Sequence, residues 1–149
     1  MEPFAKKYGY ILREYQIRAV LFIAEEDDVI RLLLKRYFES EHYLVFVGES
    51  GMEAIVKLRC MKEVGGLPDL IIIGLHMQMD GMKVIDFLMS DEDLRKIPSI
   101  PISAQCQLSL VSAKKVLTKP FDFTELIRTV NEIVDKDYHL GVKAVKNAV

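Results

Sequence analysis

Two stretches of this chain are apolar at every position: A-V-L-F-I-A at Ala19–Ala24 and L-I-I-I at Leu70–Ile73. A strand with one wet face alternates apolar and polar residues, so unbroken runs of this length fit strands buried on both faces, as in a parallel sheet covered by helices on each side. Both runs are far below the roughly 18 consecutive apolar residues of a membrane-spanning helix.

Between and after these runs the apolar period changes. Ile30, Leu33, Leu34, Tyr37 and Phe38 recur at helical spacing, with Asp27 or Asp28 placed to cap the first turn. A second strand is predicted over His42 to Val47, broken by Gly48, then a helix carrying Met52, Ile55, Arg59 and Cys60 that ends at Gly65-Gly66 and Pro68. After Leu70–Ile73 comes a loop to Asp80-Gly81, then a helix carrying Met82, Ile85 and Phe87 to Met89. Pro98 and Pro101 bracket a weaker fourth strand from Ile100 to Ser103, and Lys115 to Leu117 supplies a short fifth. Phe123, Leu126, Ile127, Val130, Ile133 and Val134 form the apolar stripe of a last helix. Strand and helix alternate throughout, which predicts an α/β fold with a doubly wound five-stranded parallel sheet.

The chain has 149 residues, of which 50% are apolar and 28% charged, a globular balance in the size range of one domain. We divide it into an N-terminal helical extension over 1–17, a core over 18–137 and a short basic tail over 138–149 that is expected to fray. In the extension, Phe4, Tyr8, Ile11, Leu12 and Tyr15 share one helical face, suited to packing on its own domain or on a partner. A formal net charge of −2 argues against a duplex-binding face. The N-terminus has no signal-peptide pattern, so a cytoplasmic location is expected. Cys60 and Cys106 lack metal or redox spacing and read as reduced thiols, one or both buried.

In an open parallel sheet, chemistry belongs at the carboxyl ends of the strands. Here those positions are Glu25 and Glu26, Gly74, Ser103 and Lys119. This order, with P-D-L-I-I-I at Pro68 to Ile73 and V-L-T-K-P-F at Val116 to Phe121, resembles the receiver domains of two-component response regulators over roughly residues 19 to 136. The resemblance implies a flavodoxin-like fold. It also implies a site in which an aspartate at the end of strand three attacks phosphorus while Mg²⁺, held by that aspartate and an acidic pair, screens charge. Carried over by position, Glu25 and Glu26 stand for the acidic pair, Ser103 for the hydroxyl, Lys119 for the lysine and Val116 for the switch aromatic.

The nucleophile's position falls on Gly74, which has neither a carboxylate to phosphorylate nor a ligand for a metal. The family's loop proline is missing from G-L-H-M-Q-M-D-G at Gly74 to Gly81, which is one residue shorter. Val116 has no ring to rotate, and 15 residues between Ser103 and Lys119 leave the fourth helix shortened or absent. The expectation is therefore a non-enzymatic pseudo-receiver that signals through protein contacts, as a homodimer or with a partner protein of a signalling pathway, with no cofactor, nucleic acid or membrane.

Each retained group also has a plainer role. Glu25 and Glu26 suit a helix N-terminus, Lys119 is expected to neutralise them, and Ser103 suits a strand-end hydroxyl. His76 has no second His at ligand spacing and suits a plain loop imidazole, and Asp80 before Gly81 suits a turn. Met77, Met79, Met82 and Met89 suit either a core or an adaptable surface. Two other functions compete: a switch with a cation or with phosphate on Asp80 or His76, and a flavodoxin-like ligand domain. The second is disfavoured because Glu25-Glu26-Asp27-Asp28 would repel a phosphate at the first strand-to-helix turn.

Overall fold

The computed structural model describes residues 14, 16–103, 117–118 and 123–148, with the side chains of 103, 117, 118, 123 and 137–148 outside that description. Five parallel strands form one sheet: β1 (Val20–Ala24), β2 (Leu44–Gly48), β3 (Leu70–Gly74), β6 (Ser99–Ser103) and β7 (Leu117–Thr118). Their spatial order is β2-β1-β3-β6-β7. This is the flavodoxin-like doubly wound order, whose switch point lies between its first and third strands. All residues of β1 and β3 are buried, because each has a strand on both sides and helices on both faces.

Alternate residues of these strands feed two cores. Leu21, Ile23, Leu70 and Ile72 pack with Leu34 and Phe38 of α1 (Asp28–Ser40) and with Leu126, Val130 and Val134 of α4 (Phe123–Ala148). Phe22, Ala24, Ile71 and Ile73 pack on the opposite face with Ala54, Ile55 and Leu58 of α2 (Gly51–Glu63) and with Val84, Ile85 and Leu88 of α3 (Val84–Ser90). At edge strand β2, Lys57 of α2 donates its Nζ to Val47 O at 2.7 Å. Pro101 is tolerated inside β6. The carbonyls of Pro98 and Ile102 face β3, so by alternation Pro101 faces the β7 side, where pairing begins only at Ile102.

Several expectations need correction. Gly48 does not break strand two but closes it, paired with Ala24. The segment before α3 is not a plain loop: β4 (Gln78–Met79) and β5 (Met82–Lys83) form an antiparallel hairpin. Its central residues have φ 52° at Asp80 and 79° at Gly81, the two positive values of a type I′ turn, so the helix starts at Val84 and not at Met82. Residues 138–148, expected to fray, continue α4 as helix. Val134, Tyr138, Val142 and Val145 keep helical spacing there, and no proline interrupts it. Cys60 is free and exposed; Cys106 lies outside the described residues. Met77 is buried in the second core, Met79 and Met89 pack against it, and Met82 is exposed.

The extension over 1–17 falls almost wholly outside the described residues, and residues 104–116, where the fourth helix is expected to be shortened or absent, lie wholly outside them. Among the described residues no helix is long and apolar enough to cross a membrane.

Candidate functional site

At the carboxyl edge of the sheet, β1 and β3 are neighbours with Ala24 in register with Ile73, so the next residues, Glu25 and Gly74, meet at the switch point. The Glu25 N–H donates to Gly48 O at 3.2 Å, which extends the β1–β2 ladder by one residue and carries Glu25 inward. Glu25 is 2% exposed, whereas Glu26, one residue on, points into solvent. The two acids expected to act as a pair are therefore not equivalent. Neither caps α1: Asp27 does, its carboxylate accepting from the N–H groups of Val29 at 2.9 Å and Ile30 at 3.0 Å.

Arg31, in the second turn of α1, is a site residue that sequence reasoning missed. Its guanidinium turns back under the acidic loop and donates to Glu25 O at 2.8 Å and Glu26 O at 3.4 Å. Its other terminal nitrogen pairs with Asp28 and lies 3.6 Å from Glu49 Oε1. Only the spacing from Asp28 to Arg31 signalled a pair; nothing local signalled that the arginine is buried.

Gly74 ends β3, paired with Ile102. Its carbonyl accepts from Met77 N at 3.1 Å, and Met77 O accepts from Val84 N at 2.9 Å, which closes the loop onto the start of α3. A Cβ built on Gly74 would lie 2.8 Å from Glu25 Oε2, then 3.7 Å from Ala24 O and 3.8 Å from Met77 Cβ. Among the described residues, the only contact inside van der Waals distance is thus the Glu25 carboxylate, which takes the space where a strand-three side chain would begin.

Ser103 ends β6 on the same edge, paired with Thr118. Val116 and Lys119 lie outside the described residues, and with them the expected ion pair to the acids. His76 is exposed in the loop after β3, and Asp80 is exposed at the hairpin turn.

The sequence model of the response regulator receiver domain matches residues 21–131. The chain belongs to this family. It is 30% identical over 129 residues to the sensor kinase CckA of Brucella abortus, covering 79% of this chain but only 13% of that kinase. Against the polar-differentiation response regulator DivK of Brucella ovis it is 25% identical over 117 residues, covering 74% of this chain and 91% of DivK. Among solved structures, the receiver domain of a signal transduction histidine kinase from Syntrophus aciditrophicus superposes with a TM-score of 0.67 at 27% identity, covering 79% of this chain and 91% of that one.

Receiver chemistry implies Mg²⁺ held by an aspartate at the end of strand three and by the acidic pair. Gly74 supplies no carboxylate and Glu26 faces solvent. Among the described residues no group of three His, Cys, Asp or Glu side chains is arranged to hold a metal ion.

Proposed function

We propose that this receiver domain signals without being phosphorylated, as a non-enzymatic pseudo-receiver that works through protein contacts and uses no metal. The observation that carries this reading is the Glu25 carboxylate lying 2.8 Å from where a side chain at Gly74 would begin. Acyl-phosphate formation needs a carboxylate oxygen free to attack phosphorus at the end of strand three. Position 74 has no such oxygen, and its space is taken.

Contact with another protein also has surface to draw on, since Val29, Leu32 and Leu33 of α1 are exposed beside the acidic turn. By analogy with the response regulator DivK and the sensor kinase CckA, the partner is a protein of a signalling pathway, with self-association the other form of contact. Neither nucleic acid nor a membrane enters this reading. A switch at Asp80 is disfavoured because that residue serves the hairpin turn.

Incubation of the full chain with acetyl phosphate and Mg²⁺, followed by intact-mass measurement at neutral pH, is expected to leave the mass unchanged. Gain of one phosphoryl group would overturn the reading, and peptide mapping would place the acceptor.

A further inference from the structure

The backbone does not demand glycine at position 74. Among the described residues the glycines with positive φ are Gly65 and Gly81, and Gly74 is an ordinary ladder residue paired with Ile102. Nor do the pocket walls demand it, because Ala24 O at 3.7 Å and Met77 Cβ at 3.8 Å are ordinary van der Waals neighbours for a Cβ. The obstacle is the far end of one side chain, Glu25.

A Cβ at position 74 therefore requires the Glu25 carboxylate to shift. Glu25 is 2% exposed, and its backbone is held on one side by Gly48 O, 3.2 Å from its N–H, and on the other by the Arg31 guanidinium, 2.8 Å from its carbonyl. We infer that Glu25 and Gly74 form a coupled pair. The longer acid lies where a side chain at position 74 would begin, so an acceptor placed there must displace the Glu25 carboxylate, and shortening Glu25 relieves the conflict. This rests on the reading of the domain as unphosphorylated.

The test uses the full chain as wild type, Gly74→Asp, Glu25→Asp and the double variant, each incubated with acetyl phosphate and Mg²⁺. In a competent variant an oxygen of the introduced carboxylate bonds to phosphorus. The bond from phosphorus to the acetyl oxygen breaks, and acetate leaves with the electron pair. The double variant is expected to be labelled faster than Gly74→Asp by roughly tenfold or more. Equal labelling of the two overturns the coupling, and so does a folded double variant that takes no label. Label on the wild type instead defeats the unphosphorylated reading and leaves the coupling to a second measurement.

That measurement is a urea-unfolding cycle that needs no chemistry. Gly74→Ala is expected to lower the midpoint in the wild-type background and to lower it less in the Glu25→Asp background. Equal losses in both backgrounds overturn the coupling, even if Gly74→Asp does not fold.

Discussion

The guanidinium of Arg31 hydrogen-bonds the carbonyl of Glu25 at 2.8 Å from inside the fold, so a buried charge on the first helix holds the backbone of the residue that lies against Gly74. Arg31→Ala removes this donor and leaves the Glu25 carbonyl buried without it, which is expected to cost about 1–3 kcal/mol in urea unfolding. Arg31→Lys is expected to recover only part of the loss. One ammonium cannot reproduce a planar fork that serves two carbonyls and two carboxylates.

Two glycines are expected to fail for different reasons. A Cβ on Gly48 would lie 2.8 Å from Ala54 Cα, so Gly48→Ala forces the backbone of α2 away from the sheet, at about 1–3 kcal/mol. Among the described residues nothing lies within 4 Å of a Cβ on Gly81, and the cost of Gly81→Ala is conformational, about 1–2 kcal/mol for a left-handed residue. Asparagine separates the two cases. Gly81→Asn should recover stability relative to alanine, and Gly48→Asn should lose more.

Tyr43 ties the start of β2 to α4 by donating its hydroxyl to Asn131 Oδ1 at 2.7 Å, with the Arg18 guanidinium 4.8 Å from its ring centroid. Burial pushes its pKa up to about 12, against the lowering effect of Arg18. The folded protein therefore keeps this proton where the unfolded chain, titrating near ~10, has released it. Stability is expected to be fully present below that pH and to fall as pH rises toward 12. Tyr43→Phe should flatten this alkaline loss, read by urea unfolding at successive pH values.

Asp91 accepts from the N–H groups of Leu94 at 3.0 Å and Asp93 at 2.9 Å, and Lys62 Nζ lies 3.2 Å from its carboxylate. The bond from Leu94, then that from Lys62, holds its carboxyl below the usual range in spite of partial burial. A depressed folded pKa gives stability that is present above the unfolded value near ~3.9 and lost as pH falls through the folded one. Asp91→Asn is expected to lower the melting temperature at neutral pH, with the gap to wild type closing as pH falls through the depressed folded pKa.

Much of the plan was legible locally. Unbroken apolar runs marked β1 and β3, helical spacing marked α1 and the last helix, and the family motifs pointed to the strand ends. Asp80-Gly81 was readable as a turn, though not the hairpin around it, since Gln78-Met79 and Met82-Lys83 are too short to carry a period. Gly48 misled because glycine weakens a strand in isolation, while here it lets α2 approach β2 closely. Burial of Arg31 was not legible at all, because it depends on where Glu25, Glu26 and Glu49 are brought by the fold.

The sequence by itself determined that position 74 carries no carboxylate, and that it follows a buried strand in a receiver-type order. Only the tertiary structure decided what stands beside position 74. Glu25 and Gly74 are far apart along the chain, and parallel pairing of Ala24 with Ile73 makes them neighbours. The same pairing buries one of two adjacent glutamates and leaves the other in water, a difference set by packing across strands and invisible in the dipeptide itself.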